Sequence, residues 1–170
     1  MTAGVYVHVP FCLTRCGYCD FNAYAGLDHL ASPYVSALLR EAELAAPGWS
    51  GEEIASVFLG GGTPTTLEVA DLKALLARLR QGYAVAPNAE VTIEANPDTV
   101  DLPKLEGLLE AGFARLSMGA QSFDPRVLAS LERPDMEGAW LNIGGPERLV
   151  GKQVTQILSD TLARPIAYDP

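Results

Sequence analysis

The sequence predicts an α/β fold, a partial (βα) barrel with four βα units and a strand–helix tail, and three observations carry that prediction. Over residues 1–133, apolar β-like runs alternate with stretches whose leucines recur at helical spacing, the pattern of repeated βα units on a parallel sheet. Glycine and proline stand at the joints, where they end helices and open loops. Each chemically distinctive motif follows an apolar run, and in parallel barrels the reactive groups gather at the C-terminal ends of the strands. At 170 residues, 48% of them hydrophobic, the chain can bury one core but is too short for a complete barrel.

The first strand is Val5 to Val9. After a cysteine-bearing loop, Ser32 and Pro33 predict the cap and first turn of a helix running through Leu38, Leu39 and Glu43 toward Ala46, ended by Pro47-Gly48. The second strand is Ile54 to Leu59. It is followed by the glycine run Gly60-Gly61-Gly62-Thr63-Pro64-Thr65 and a helix with Leu72, Leu75, Leu76 and Leu79 on one face, stopped at Gly82. The third strand is Glu90 to Ala95, broken by Asn96-Pro97. Its helix carries Leu102, Leu105, Leu108 and Leu109 before Gly112. The fourth strand spans about Ala114 to Met118, and Asp124-Pro125 start a helix through Val127, Leu128 and Leu131.

Composition narrows the partners. A formal charge of −9 offers no basic footprint for a phosphate backbone, so no nucleic-acid partner is expected. The first apolar run is broken by His8 and Pro10 and has no basic leader, and no stretch approaches about 18 uninterrupted apolar residues, so neither a signal peptide nor a transmembrane segment is expected. Three cysteines packed into eight residues argue against a disulfide framework and for a reducing compartment, with the cytoplasm as the expected location.

Those cysteines, Cys12, Cys16 and Cys19, form one C-x3-C-x2-C run just after the first strand. Thiolates hold iron–sulfur clusters, and three ligands on a [4Fe-4S] cube would leave one iron open. The bland alternatives are three buried apolar cysteines, or a zinc site one ligand short of the four that closed structural zinc takes. Gly60-Gly61-Gly62 allows close backbone approach to a ligand or merely turns the chain. Glu94 is a carboxylate at the end of an apolar strand, able to accept from ribose hydroxyls or an amine, or simply an exposed strand-end acid.

The segment Tyr6-x-His8-x-Pro10-Phe11-Cys12-x3-Cys16-x-Tyr18-Cys19-Asp20-Phe21 resembles the radical S-adenosylmethionine (SAM) superfamily, and within it the coproporphyrinogen III oxidase-like branch. The resemblance implies a [4Fe-4S] cluster on Cys12, Cys16 and Cys19, SAM bound through its amino and carboxylate groups at the open iron, and a 5'-deoxyadenosyl radical formed by one-electron cleavage. It also implies that SAM is held by Gly61, Gly62 and Thr63 of the glycine run, by Glu94, by Gln121 in the segment Arg115 to Phe123, and by Arg133, whose planar guanidinium suits a carboxylate. Tyr6 and Tyr18 match aromatic or backbone contacts to SAM, or fill core. No catalytic residue is assigned. His8 and His29 are the only histidines; His8 is expected to line the barrel near the cluster, and His29 to be solvated.

Asp20-Phe21 stands where the oxidases of this branch carry a fourth cysteine, which points to the heme-chaperone subgroup. Heme is then an implied ligand, with a heme-acceptor protein and an electron donor as implied partners. The alternative is an oxidoreductase that decarboxylates a porphyrinogen, and the third reading is a non-functional chimeric fragment. From about Pro134 the pattern changes: residues 134–170, with a strand at Trp140 to Ile143 and a helix from about Val150 to Leu162, resemble the C-terminal part of NmrA-like NAD(P)-binding proteins. They contain no G-x-G-x-x-G and so bring no dinucleotide site. A tail of different origin, strand–helix–strand, is therefore expected after a radical-SAM domain at 1–133. Half a barrel leaves its fourth strand with an open edge unless the tail strand covers it, so the isolated chain is expected to be marginally stable or to oligomerise.

Overall fold

The computed structural model describes residues 2–15 and 19–119, together with the backbone of a strand at 140–142. Five parallel strands form the main sheet: β1 (Thr2–Val9), β4 (Glu53–Gly61), β5 (Ala84–Ala95), β6 (Arg115–Gly119) and β7 (Trp140–Asn142), in the spatial order β1-β4-β5-β6-β7. A two-stranded parallel ribbon, β2 (Phe11–Cys12) with β3 (Tyr24–Ala25), hangs from the end of β1. Three helices, α1 (Ala31–Ala45), α2 (Val69–Gly82) and α3 (Leu102–Ala111), connect β1, β4, β5 and β6 in turn. Parallel neighbours require such crossovers, and the strands advance across the sheet in one direction, as in a barrel.

Strand alternation sorts the side chains into two layers. Val7 and Val9, Val57 and Leu59, Val91 and Ile93, Leu116 and Met118 are all buried and belong to one core with Leu72, Leu75, Leu76 and Leu79 of α2. Registered rows fill the opposite face: Tyr6 lies beside Phe58 and Phe58 beside Thr92, while His8 lies beside Gly60 and Glu94 beside Ser117. The helix-covered face is thus aliphatic, and the other is polar and aromatic.

Several boundaries differ from the sequence reading. Helix α1 starts at Ala31 after a 3-10 turn over Asp28–Leu30, so Ser32 and Pro33 sit in its first turn and the cap position is Leu30, without a side-chain cap. Pro47-Gly48 does not end the helical path at once, because a 3-10 turn runs over Ala46–Trp49. β4 runs on through Gly61, so the first two glycines finish the strand instead of following it. β5 begins at Ala84, six residues before the expected start, because Ala84 and Val85 pair with Glu53 and Ile54 before the pairing resumes at Glu90 opposite Ser56. Pro87, which has no N–H to give a ladder, lies in that bulged stretch. On α3, Leu108 and Ala111 are buried but Leu109 is 70% exposed, so Leu109 is not on the core face. The cap of α3 is Asp101, which accepts the Lys104 N–H at 2.9 Å, and Gly112 closes it at φ 101°. The tail strand pairs in parallel with β6, with Trp140 opposite Ser117, and so covers that edge. The helix expected after Asp124 and the one expected from Val150 lie outside the described residues.

Candidate functional site

The C-terminal ends of β1 and β4 and the cysteine loop are laced together by backbone hydrogen bonds. The Gly62 N–H donates to the Val9 carbonyl at 2.8 Å, the Thr63 N–H to Phe11 O at 2.7 Å, and the Tyr24 N–H to Pro10 O at 2.7 Å. Two of the three bonds reach back from the glycine run, whose approach leaves no room for a side chain at Gly61 or Gly62. A Cβ on Gly62 would fall 2.6 Å from Phe11 O and 3.0 Å from Cys12 Sγ, and one on Gly61, whose φ is +118°, would fall 2.6 Å from the His8 ring.

Cys12 and Cys19 are free, partly exposed thiols. Thr63 Oγ1 donates to Cys12 Sγ at 3.7 Å, so the glycine run touches the first cysteine directly. Asp20 and Phe21 are exposed, Phe21 by 67%. His8 spans the site from below. Its Nε2 lies 2.8 Å from the Asn22 carbonyl and its Nδ1 2.9 Å from the Tyr6 hydroxyl. A carbonyl only accepts, so Nε2 carries the proton; in the neutral ring Nδ1 is then the acceptor and the Tyr6 O–H its donor. Tyr34 of α1 donates to His8 O at 2.8 Å, fixing the backbone of the same residue.

Glu94 is half-buried on the inner face and accepts the Gly61 N–H at 3.0 Å through Oε2. Burial pushes its carboxyl above the usual carboxylate range, and the Gly61 N–H and nearby His8 pull the other way. Partial burial, and then the charge of Glu94, raise the Tyr6 phenol. Tyr6 is 57% exposed and lies against Phe58 with ring centroids 6.1 Å apart, so it is not core filling. The sequence-predicted residues Tyr6, Cys12, Gly61, Gly62, Thr63 and Glu94 therefore meet on one rim and the face beneath it, while Cys19 is a partly exposed thiol further along the cysteine loop. Cys16, Tyr18, Gln121 and Arg133 lie outside the described residues. His29 is exposed in the 3-10 turn before α1.

Two features escaped the sequence reading. The Asn22 carbonyl anchors His8, and no backbone acceptor can be picked out by residue type. The Thr63 hydroxyl meets Cys12 across 51 positions, a pairing that only the β1–β4 register creates. A cleft of about 330 Å³ also opens beside the loop, between Leu13, Thr65, Asp98, Thr99 and Lys104. Lys104 Nζ donates to Thr65 O at 2.6 Å across its floor.

A family model described as the radical SAM superfamily matches residues 6–143. The chain belongs to the radical SAM superfamily. That family implies a [4Fe-4S] cluster and SAM in general terms, and the free thiol of Cys12, packed against Gly62 and Thr63, together with the free thiol of Cys19 in the same loop, is a donor set of the right chemistry. Among radical SAM relatives, the heme chaperone HemW of Mycobacterium tuberculosis is 46% identical over 138 residues, 79% of this chain and 35% of that protein. The heme chaperone HemW of Escherichia coli is 37% identical over 130 residues, 76% of this chain and 34% of that one. Anaerobilin synthase of Escherichia coli O157:H7 is 35% identical over 131 residues, 76% of this chain and 29% of its own. The solved structure of coproporphyrinogen III oxidase (HemN) from Escherichia coli, a radical SAM enzyme, superposes with a TM-score of 0.77 at 30% identity, covering 92% of this chain and 42% of that one. The chain thus spans about a third of the length of the curated relatives it matches.

Proposed function

We propose that the chain is the cofactor-binding front of a heme chaperone of the radical SAM superfamily, in which Cys12, Cys16 and Cys19 hold a [4Fe-4S] cluster and the rim around them holds SAM. The observation that carries this reading is the junction of Cys12 with the glycine run, where Gly62 and Thr63 lie directly against the thiol. Bound there, the cluster and SAM supply one-electron cleavage chemistry. The chain's own residues orient and bind. Gly61 and Gly62 let the backbone of the run close against His8, Phe11 and Cys12, and Glu94 offers the oxygen not engaged by Gly61 to hydroxyl or ammonium donors. Tyr6 presents an aromatic edge from the inner face. Gln121 and Arg133 are assigned to SAM from the family motif, Arg133 toward its carboxylate, and Tyr18 to a SAM contact from the cysteine segment.

Asp20-Phe21 in place of a fourth cysteine, together with heme chaperones among the relatives, favours heme as the ligand, with a heme-acceptor protein and an electron donor as the partners. The likeness to coproporphyrinogen III oxidase favours a second reading, a porphyrinogen-decarboxylating oxidoreductase. Anaerobic reconstitution followed by heme titration and SAM turnover separates them: stoichiometric heme binding without turnover supports the chaperone, and deoxyadenosine formation with porphyrinogen loss supports the oxidase. The absence of both activities supports the third reading, a non-functional fragment.

We also propose a division near residue 133, with 1–133 as the N-terminal part of the radical SAM domain and 134–170 as a tail of different origin. The curated matches, 130 to 138 residues long, support a boundary in this region, while the family match runs on to residue 143 and takes in β7. A cytoplasmic site of action agrees with the free thiols Cys12 and Cys19. No helix among the described residues is long and apolar enough to cross a membrane.

A further inference from the structure

We propose that the Thr63 hydroxyl tunes the reduction potential of the cluster through its hydrogen bond to Cys12, an inference that rests on the cluster reading above. Thr63 Oγ1 donates to Cys12 Sγ at 3.7 Å. The geometry is built, because backbone bonds fix both sides of the contact. The Thr63 N–H donates to Phe11 O at 2.7 Å, one residue before Cys12, and the Gly62 N–H to Val9 O at 2.8 Å. Downstream, the Thr63 carbonyl accepts the Thr66 N–H at 2.9 Å and the Thr66 hydroxyl at 2.8 Å. Gly62 completes the arrangement, since a Cβ there would stand 3.0 Å from the same sulfur.

A hydroxyl aimed at a cluster thiolate draws electron density from sulfur. Reduction adds one electron, taken from an external low-potential donor, and no bond or proton need move. The reduced cluster carries the greater negative charge and gains more from the donor, so the hydrogen bond raises the potential. Thr63 is in this sense a tuning and positioning residue: its backbone shapes the cradle and its side chain acts through Cys12.

The test is a redox titration of the reconstituted full chain by electron paramagnetic resonance, without SAM so that cofactor contacts do not enter. Thr63→Val keeps the shape and removes the donor; Thr63→Ser keeps the donor and removes a methyl. The expected result is a midpoint shifted to lower potential in Thr63→Val, with Thr63→Ser close to the unsubstituted chain. Equal midpoints in all three, or a shift in Thr63→Ser as large as that in Thr63→Val, overturn the inference while leaving the cluster reading intact. An unsubstituted chain that takes up no cluster overturns the cluster reading and this inference with it. If only Thr63→Val loads poorly, alkylation of Cys12 in the apo chains, resolved by mass spectrometry, is compared as a control. Their rates show whether the hydroxyl reaches the sulfur, and Thr63→Ala, which also lacks the donor, replaces Thr63→Val in the redox titration: a midpoint below that of Thr63→Ser is expected, and an equal midpoint overturns the inference.

Discussion

His8 Nε2 lies 2.8 Å from the carbonyl oxygen of Asn22, so the inner face of β1 holds the downstream end of the cysteine loop. The same ring accepts from Tyr6 and stands where a Cβ of Gly61 would collide with it. One imidazole thereby connects the loop, the sheet and the glycine run.

Replacing His8 by Phe keeps a ring and removes both hydrogen bonds. The expected cost is about 1–3 kcal/mol in urea unfolding, from two neutral bonds each worth about 0.5–1.5 kcal/mol, together with lower cluster occupancy after reconstitution. His8→Gln, which retains a donor, is expected to recover part of both. Unchanged occupancy in His8→Phe would show that the Asn22 tether does not position the loop.

Gly62→Ala puts a Cβ 2.6 Å from the Phe11 carbonyl, a backbone atom that moves only with the strand end. A destabilisation of about 1–3 kcal/mol is expected, the range for forced overpacking, with reduced iron uptake. Gly48→Ala is the control, because nothing lies within 4 Å of its added Cβ. A thermal unfolding comparison in which the two substitutions cost the same would contradict the cradle.

The raised pKa of Glu94 makes a signed pH prediction. A native state that binds this proton more tightly than the unfolded chain is stabilised below the ordinary carboxylate pKa, and loses that contribution as pH rises through the native value. Glu94→Gln keeps an oxygen for the Gly61 N–H and cannot ionise. The stability difference, Glu94→Gln minus the unsubstituted chain, should therefore grow more positive from acid toward neutral pH. A difference that is flat, or that falls, would mean that burial does not dominate at Glu94.

Core packing gives the fold its own test. Leu76 of α2 and Ile93 of β5 are fully buried in the same core, and truncating either to Ala is expected to cost about 2–5 kcal/mol. Leu109→Ala on the exposed side of α3 should stay within about 0.5 kcal/mol of the unsubstituted chain. Guanidinium denaturation of the three variants measures both sides of the comparison.

The readable parts of the fold are those set by local periodicity. The leucines at 72, 75, 76 and 79 announce one buried helix face, and all four are buried. The order of βα units is legible for the same reason, since each glycine or proline joint falls between two apolar patterns. What escaped is set by long-range register. The bulge at Pro87 hides the first residues of β5, because their pairing with Glu53 and Ile54 is not encoded by alternation. Leu109 matches a helical repeat yet faces solvent, because α3 meets its neighbours through Leu108 and Ala111. At the site, residue types pointed to Cys12, Gly62, Thr63 and Glu94. The bonds that join them depend on which segments the fold lays side by side: Thr63 to Cys12 through β1 against β4, Gly61 to Glu94 through β4 against β5, and His8 to Asn22 through the cysteine loop returning to β1.

The central claim is that three thiolates at 12, 16 and 19 leave one iron open for SAM beside the glycine run. Its most direct test is electron paramagnetic resonance of the anaerobically reconstituted, reduced chain with and without SAM. A [4Fe-4S] signal that changes on adding SAM, and is lost in Cys12→Ala, is the predicted result. A chain that takes up no cluster, or whose signal is indifferent to SAM, contradicts it.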